Sequence, residues 1–128
     1  MTCGPGTLLV GLVALAGPAG APSSAAPSRP PGFESLARRA GEAREQGRLD
    51  VAAGLYRQAV ALRPEWAEGW WYLGTLAYDA DRHGECAEAL GRLTAIDPKL
   101  GPAWGIRGLC EFSLGRRAAA ARLLDRAL

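Results

Sequence analysis

The sequence predicts an all-α fold, a right-handed α-solenoid of stacked helix-turn-helix hairpins, on three observations. The chain echoes itself every 34 positions: Trp70, Leu73, Gly74 and Tyr78 return as Trp104, Arg107, Gly108 and Phe112, and Pro64 returns as Pro98. Self-similarity at such a period marks units that each hide an apolar face against the next. Within a unit the apolar residues recur at steps of three and four, the spacing of one helical face, and no strand alternation is evident. Pro64 and Pro98 then punctuate the units, because proline lacks the amide hydrogen and clashes with the preceding turn.

The first thirty-odd residues do not share this period. A chain of 128 residues has room for one small domain, and its 48% hydrophobic and 22% charged residues put the bulk of it among ordinary globular sequences. Residues 1–21 read as a signal-peptide-like segment: the apolar run at 7–16 (TLLVGLVALA) is too short for a membrane span, and small-x-small cleavage patterns stand at its end, Ala14-Leu15-Ala16, and just beyond it, Ala19-Gly20-Ala21. Export to the periplasm or outside is the expectation, with no stable membrane span. MTCGPG lacks the basic flank of such peptides, and a misassigned start would leave the protein cytoplasmic. Residues 22–32 are Pro, Ala, Ser and Gly with one charge, Arg29, which reads as a flexible linker.

The repeat domain spans 33–128, in units 33–66, 67–100 and 101–128, the last truncated. In the first unit Leu36, Ala40 and Ala43 share a face, Gly47 and Arg48 break the run, and Asp50 is expected to cap a second helix carrying Ala52, Tyr56, Ala59 and Leu62. In the second, Trp70, Leu73, Gly74 and Ala77 line one helix and Cys86, Leu90, Leu93 and Ile96 the other, with Asp81 to Gly84 as the turn. The third repeats Trp104 and Gly108, turns at Gly115, and continues through Ala120, Leu124 and Ala127. Glycine inside a helix costs up to about 1 kcal/mol against alanine, so its recurrence at 74 and 108 implies a close crossing, expected to be answered by Ala52, Cys86 and Ala120. Cys86 and Cys110 fit no metal spacing; two buried structural thiols are expected, with a disulfide as the alternative in an oxidising compartment.

This pattern resembles the tetratricopeptide repeat. Unit two supplies Trp70, Leu73, Gly74, Cys86, Leu90 and Pro98 at the family's signature positions, with Tyr78 one place later than the family aromatic; unit one supplies Leu36, Ala40, Ala52, Tyr56, Ala59 and Pro64, with Arg39 where Leu is usual. Unit three supplies Trp104, Gly108, Ala120, Leu124 and Ala127. The signature is packing chemistry. The resemblance implies a non-catalytic scaffold that holds a peptide or partner helix in a concave groove lined by the first helix of each unit. Its groove positions correspond here to Arg44, Glu68, Trp71, Thr75, Tyr78, Asp79, Leu109 and Phe112. Trp71 is expected to be exposed, since its neighbour Trp70 points inward, about 100° around the helix. The lysine, asparagine and arginine set with which some relatives clamp acidic chaperone tails is absent: Ala37, Gly41, Tyr72, Pro102 and Ile106 hold those places.

Other chemistries find little footing. A net charge of +2, with Arg and Glu interspersed and Lys99 the one lysine, does not make the basic stripe of a nucleic-acid binder; it suits a GC-rich bacterial genome. The one histidine, His83, closes a D-x-D-x-H run with Asp79 and Asp81 in a turn, and a metal site would need three or four ligands of defined geometry. No phosphate loop, carboxylate pair or nucleophile–base set occurs, so neither catalysis nor a cofactor is expected. Leu124 and Leu128 are left without a covering helix, which raises self-association through the C-terminal helix or a following repeat. The rival reading is an accessory repeat region of a larger enzyme, sensor or envelope assembly protein.

Overall fold

A computed structural model describes residues 31–128, so the expected signal segment and all of the expected linker except Pro31 and Gly32 lie outside the described residues. Among the described residues six helices follow one another: α1 (Phe33–Glu45), α2 (Leu49–Leu62), α3 (Ala67–Asp79), α4 (His83–Ile96), α5 (Gly101–Ser113) and α6 (Arg117–Ala127). Their starts repeat the sequence period, at 33, 67 and 101 for the first helix of each hairpin and at 49, 83 and 117 for the second. Sequential helices pair as α1–α2, α3–α4 and α5–α6, and α2–α3 and α4–α5 join the hairpins into a stack. No strand occurs among the described residues.

Each hairpin turns through one residue in the left-handed region: Gly47 at φ 74°, Asp81 at 57° and Gly115 at 80°. The amide of the residue after it donates back five positions, Arg48 to Ala43, Arg82 to Ala77 and Arg116 to Glu111, at 2.8–2.9 Å. This is the Schellman ending, which satisfies carbonyls that the helix would otherwise leave open. Asp81 takes the conformation at some cost, aspartate being among the few non-glycine residues that tolerate it. Asp50 does not cap α2 as expected: Arg48 is the N-cap, without a side-chain bond, and Asp50 sits in the first turn, accepting from Arg82 at 3.3 Å.

The seams explain the two recurring glycines. A β-carbon on Gly74 would lie 2.5 Å from Leu90 Cγ, and one on Gly108 would lie 2.9 Å from Leu124 Cγ. The crossings are thus answered chiefly by leucines one turn beyond Cys86 and Ala120, a correction to the expected partners; Ala120 adds only its carbonyl oxygen, 3.4 Å from the Gly108 position. Leu90 is fully buried, which is worth about 1.5–3 kcal/mol for such a side chain. The two tryptophans of the period have matching surroundings. The Trp70 indole N–H donates to the Pro64 carbonyl at 2.7 Å and that of Trp104 to Pro98 at 2.8 Å, clasping each helix to the loop before it. In hairpin one the equivalent closure is ionic: Arg63 donates to Glu34 at 2.7 Å and lies over the Phe33 ring at 3.9 Å. The backbone amide and Arg63 hold the Glu34 carboxyl below its usual value, so this exposed clasp is complete near neutrality and is lost as pH falls below the carboxylate range.

Cys86 and Cys110 form a disulfide, where two separate thiols were the first expectation. Both sulfurs lie in the α4–α5 seam with their residues fully buried, and a 24-residue separation had hidden their proximity. The ends of the stack differ. The outward side of α1 carries Arg38, Arg39 and Glu42, with Arg38 and Glu42 paired at 3.1 Å. Leu124 on α6 is 37% exposed and Leu128, just after it, fully exposed, although their counterparts one and two periods earlier, Leu90 and Tyr56, and Thr94 and Val60, are all buried.

Two outcomes follow from these seams. Gly74→Ala should lower stability by roughly 1–3 kcal/mol through overpacking, whereas Gly54→Ala, with nothing within 4 Å of the new β-carbon, should raise it by about 0.5–1 kcal/mol; paired urea denaturations check the contrast. Replacing both cysteines by alanine should cost about 2–4 kcal/mol, read by thermal and urea unfolding of the oxidised parent and the double variant.

Candidate functional site

The first helices of the second and third hairpins, α3 and α5, touch directly. Because they are related by the 34-residue step, equal positions lie side by side: Tyr78 beside Phe112 and Asp79 beside Ser113. Inward-facing residues fix this orientation. Ala77 and Glu111 are buried, so the next residue on each helix, about 100° further round, turns outward. Tyr78 is 37% exposed, Leu109 42% and Phe112 56%.

These three line a hollow of about 480 Å³ together with Asp79, Asp81, His83 and Ser113. One wall is the last turn of α3, the Asp81 turn and the start of α4; the other is the last turn and a half of α5. The cystine stands behind both walls, with Cys86 one turn after His83 and Cys110 next to Leu109. The hollow is bare of arginine and lysine. Arg82 reaches instead to Asp50, and Arg116 donates to the buried Glu111 at 3.0 Å. Asp79 has no ion pair among the described residues, and Asp81 lies 3.9 Å from the His83 imidazole. No group of three or more side chains converges as a metal site among the described residues.

Of the eight residues singled out from the sequence, the hollow gathers Tyr78, Asp79, Leu109 and Phe112. The other four lie elsewhere. Arg44 is drawn into the first seam, its Nε donating to the Tyr56 hydroxyl at 3.3 Å and its guanidinium 4.2 Å from the Tyr72 ring. Burial pushes the Tyr56 phenol above its ordinary value, and Arg44 opposes the rise. Thr75 spends its hydroxyl on the carbonyls of Trp71 and Tyr72 at 3.0 and 3.2 Å. Glu68 is exposed on the first turn of α3. Trp71 is half-buried against the cluster that includes Leu90, Leu93 and Cys110, contrary to its expected exposure, because α5 covers one side of it.

Sequence reasoning missed a second hollow of about 490 Å³ between α2, α3 and α4, floored by Val60, Trp70, Leu73 and Ala89 and rimmed by Arg57, Arg92, Glu85 and Glu88. Its rim is partly bridged, Arg57 to Glu85 at 3.6 Å. In the next seam the corresponding space is filled from within. Arg107 stands where Leu73 does, lies beside Gly91, and donates to Thr94 at 3.1 Å.

Solved structures resemble this arrangement. The crystal structure of MamA superposes with a TM-score of 0.68 at 21% identity, over 75% of this chain and 56% of that one. The first TPR of Spaghetti (RPAP3) bound to the HSP90 peptide SRMEEVD gives 0.66 at 17% identity, over 75% and 76%. The Sgt2 TPR domain from Aspergillus fumigatus gives 0.63 at 22% identity, over 74% and 63%. The described residues therefore have the tetratricopeptide-like fold, and the chain spans little more than half the length of the MamA chain it matches. No protein-family model and no curated protein matches the chain.

Proposed function

We propose that the protein is a non-catalytic interaction scaffold, and that a peptide or helix of a protein partner docks on the face shared by α3 and α5. The observation that carries this reading is the set of large apolar side chains, Tyr78, Leu109 and Phe112, left open to water side by side on a rigid support. Water contact makes such a group costly unless something covers it, and buried aromatics near the centre of an interface supply much of its binding energy. A seam braced by a cystine limits how much the two walls must order on binding. The RPAP3 structure, with its bound HSP90 peptide, supports the use of this fold for peptides; Ala37, Gly41, Tyr72, Pro102 and Ile106 argue that the ligand here is not an acidic tail.

The disulfide also favours the exported reading, since such bonds persist in oxidising compartments. A place within a larger enzyme, sensor or envelope assembly is compatible with the same surface, which would then serve a neighbouring domain. Affinity capture with the oxidised chain, compared with Phe112→Ala, tests the docking face. The variant should keep its helical spectrum and lose the partner by at least about tenfold in affinity, the cost of a truncated central anchor. Equal recovery by parent and variant would remove Phe112 from the interface.

A further inference from the structure

The hollow between α3 and α5 sets three large apolar side chains, Tyr78, Leu109 and Phe112, beside two carboxylates. Asp79 and Asp81 stand on the α3–α4 wall, and the Asp81 side chain is 92% exposed. The basic residues of the neighbouring turns are turned away, Arg82 to Asp50 and Arg116 to Glu111. Only His83 faces Asp81, at 3.9 Å, and its charge depends on protonation. The left-handed Asp81 is informative too. The two other turns use glycine here, so an aspartate is held in a costly conformation with its carboxylate presented at the mouth of the hollow.

We infer that this site is selective for a basic-flanked apolar segment: a protein partner that inserts a bulky aliphatic or aromatic side chain against Tyr78, Leu109 and Phe112 and places an arginine or lysine within one turn of it. The inference rests on the docking reading above and adds the sign of the partner. Two carboxylates without an arginine or lysine partner among the described residues, set beside three large apolar side chains, attract a cation and repel an acidic segment. Arginine suits the site doubly, because its guanidinium can stack on an exposed ring while bonding to a carboxylate.

Fluorescence anisotropy with the full oxidised chain tests this. Three labelled peptides share one leucine- and phenylalanine-bearing core and differ only in flanks of arginine, glutamine or glutamate. The arginine peptide should bind about tenfold or more tighter than the glutamine peptide, with the glutamate peptide weakest, and the preference should shrink on raising salt from about 0.05 to 0.5 M as screening shortens. The double variant Asp79→Asn, Asp81→Asn keeps residues tolerant of the turn conformation and should abolish the preference, bringing the three affinities to within about threefold of one another. Equal affinities for all three peptides, each lost in Phe112→Ala, would overturn the charge selectivity and leave the docking face standing. Binding of every peptide unchanged by Phe112→Ala, or no binding of the arginine peptide, would overturn both. A preference for the arginine peptide that survives the double variant would place its cation elsewhere and equally overturn the inference.

Discussion

Each hairpin depends on how closely its two helices cross, and the eighth residue of each unit sets that distance. Ala40, Gly74 and Gly108 occupy the position, and opposite the two glycines stand Leu90 and Leu124, whose side chains fill the space a β-carbon would need. A larger residue would push the pair apart and open the seam along its length. Close crossing lets the tryptophans of the second and third units reach the prolyl carbonyls of the preceding loops, which sets where each unit begins. From one short distance, then, come the depth of the core and the offset between neighbouring units.

That offset decides what reaches the surface. Helices repeated at a constant step bring equal positions into rows, so a residue type placed just outside the buried stripe in two units produces a patch rather than two isolated groups. Tyr78 and Phe112 form such a row, and Leu109 widens it. The charges follow the same logic in reverse. Arginines at the two neighbouring turns are drawn to Asp50 and to the buried Glu111, and the carboxylates that remain at the hollow have no arginine or lysine partner among the described residues, with only the His83 imidazole near Asp81.

Much of this architecture is legible in the sequence because periodicity is a sum over many residues. The helix starts fall on the 34-residue step, and Trp70 and Trp104 share one environment, as matched positions in stacked units must. The readings that failed depend on single distances. Whether Cys86 reaches Cys110 turns on the geometry of the α4–α5 seam, which no spacing along the chain encodes. Trp71 could be assigned outward from its own helix, but the neighbouring α5 that half-covers it belongs to another unit. Asp50 has a capping side chain and the wrong register, since Arg48 and Leu49 already carry the helix start. Of the groove, the row of aromatics was foreseeable; the withdrawal of Arg44 to Tyr56 and Tyr72 was not, being a choice among partners that only packing decides.

The cystine has one more consequence, for the order in which the stack comes apart. Repeat arrays open unit by unit, and Ala120 is the one fully covered residue of α6. Because α5 is bonded to α4, a loosening of α6 leaves those two helices tethered, and they separate fully only once the bond is reduced.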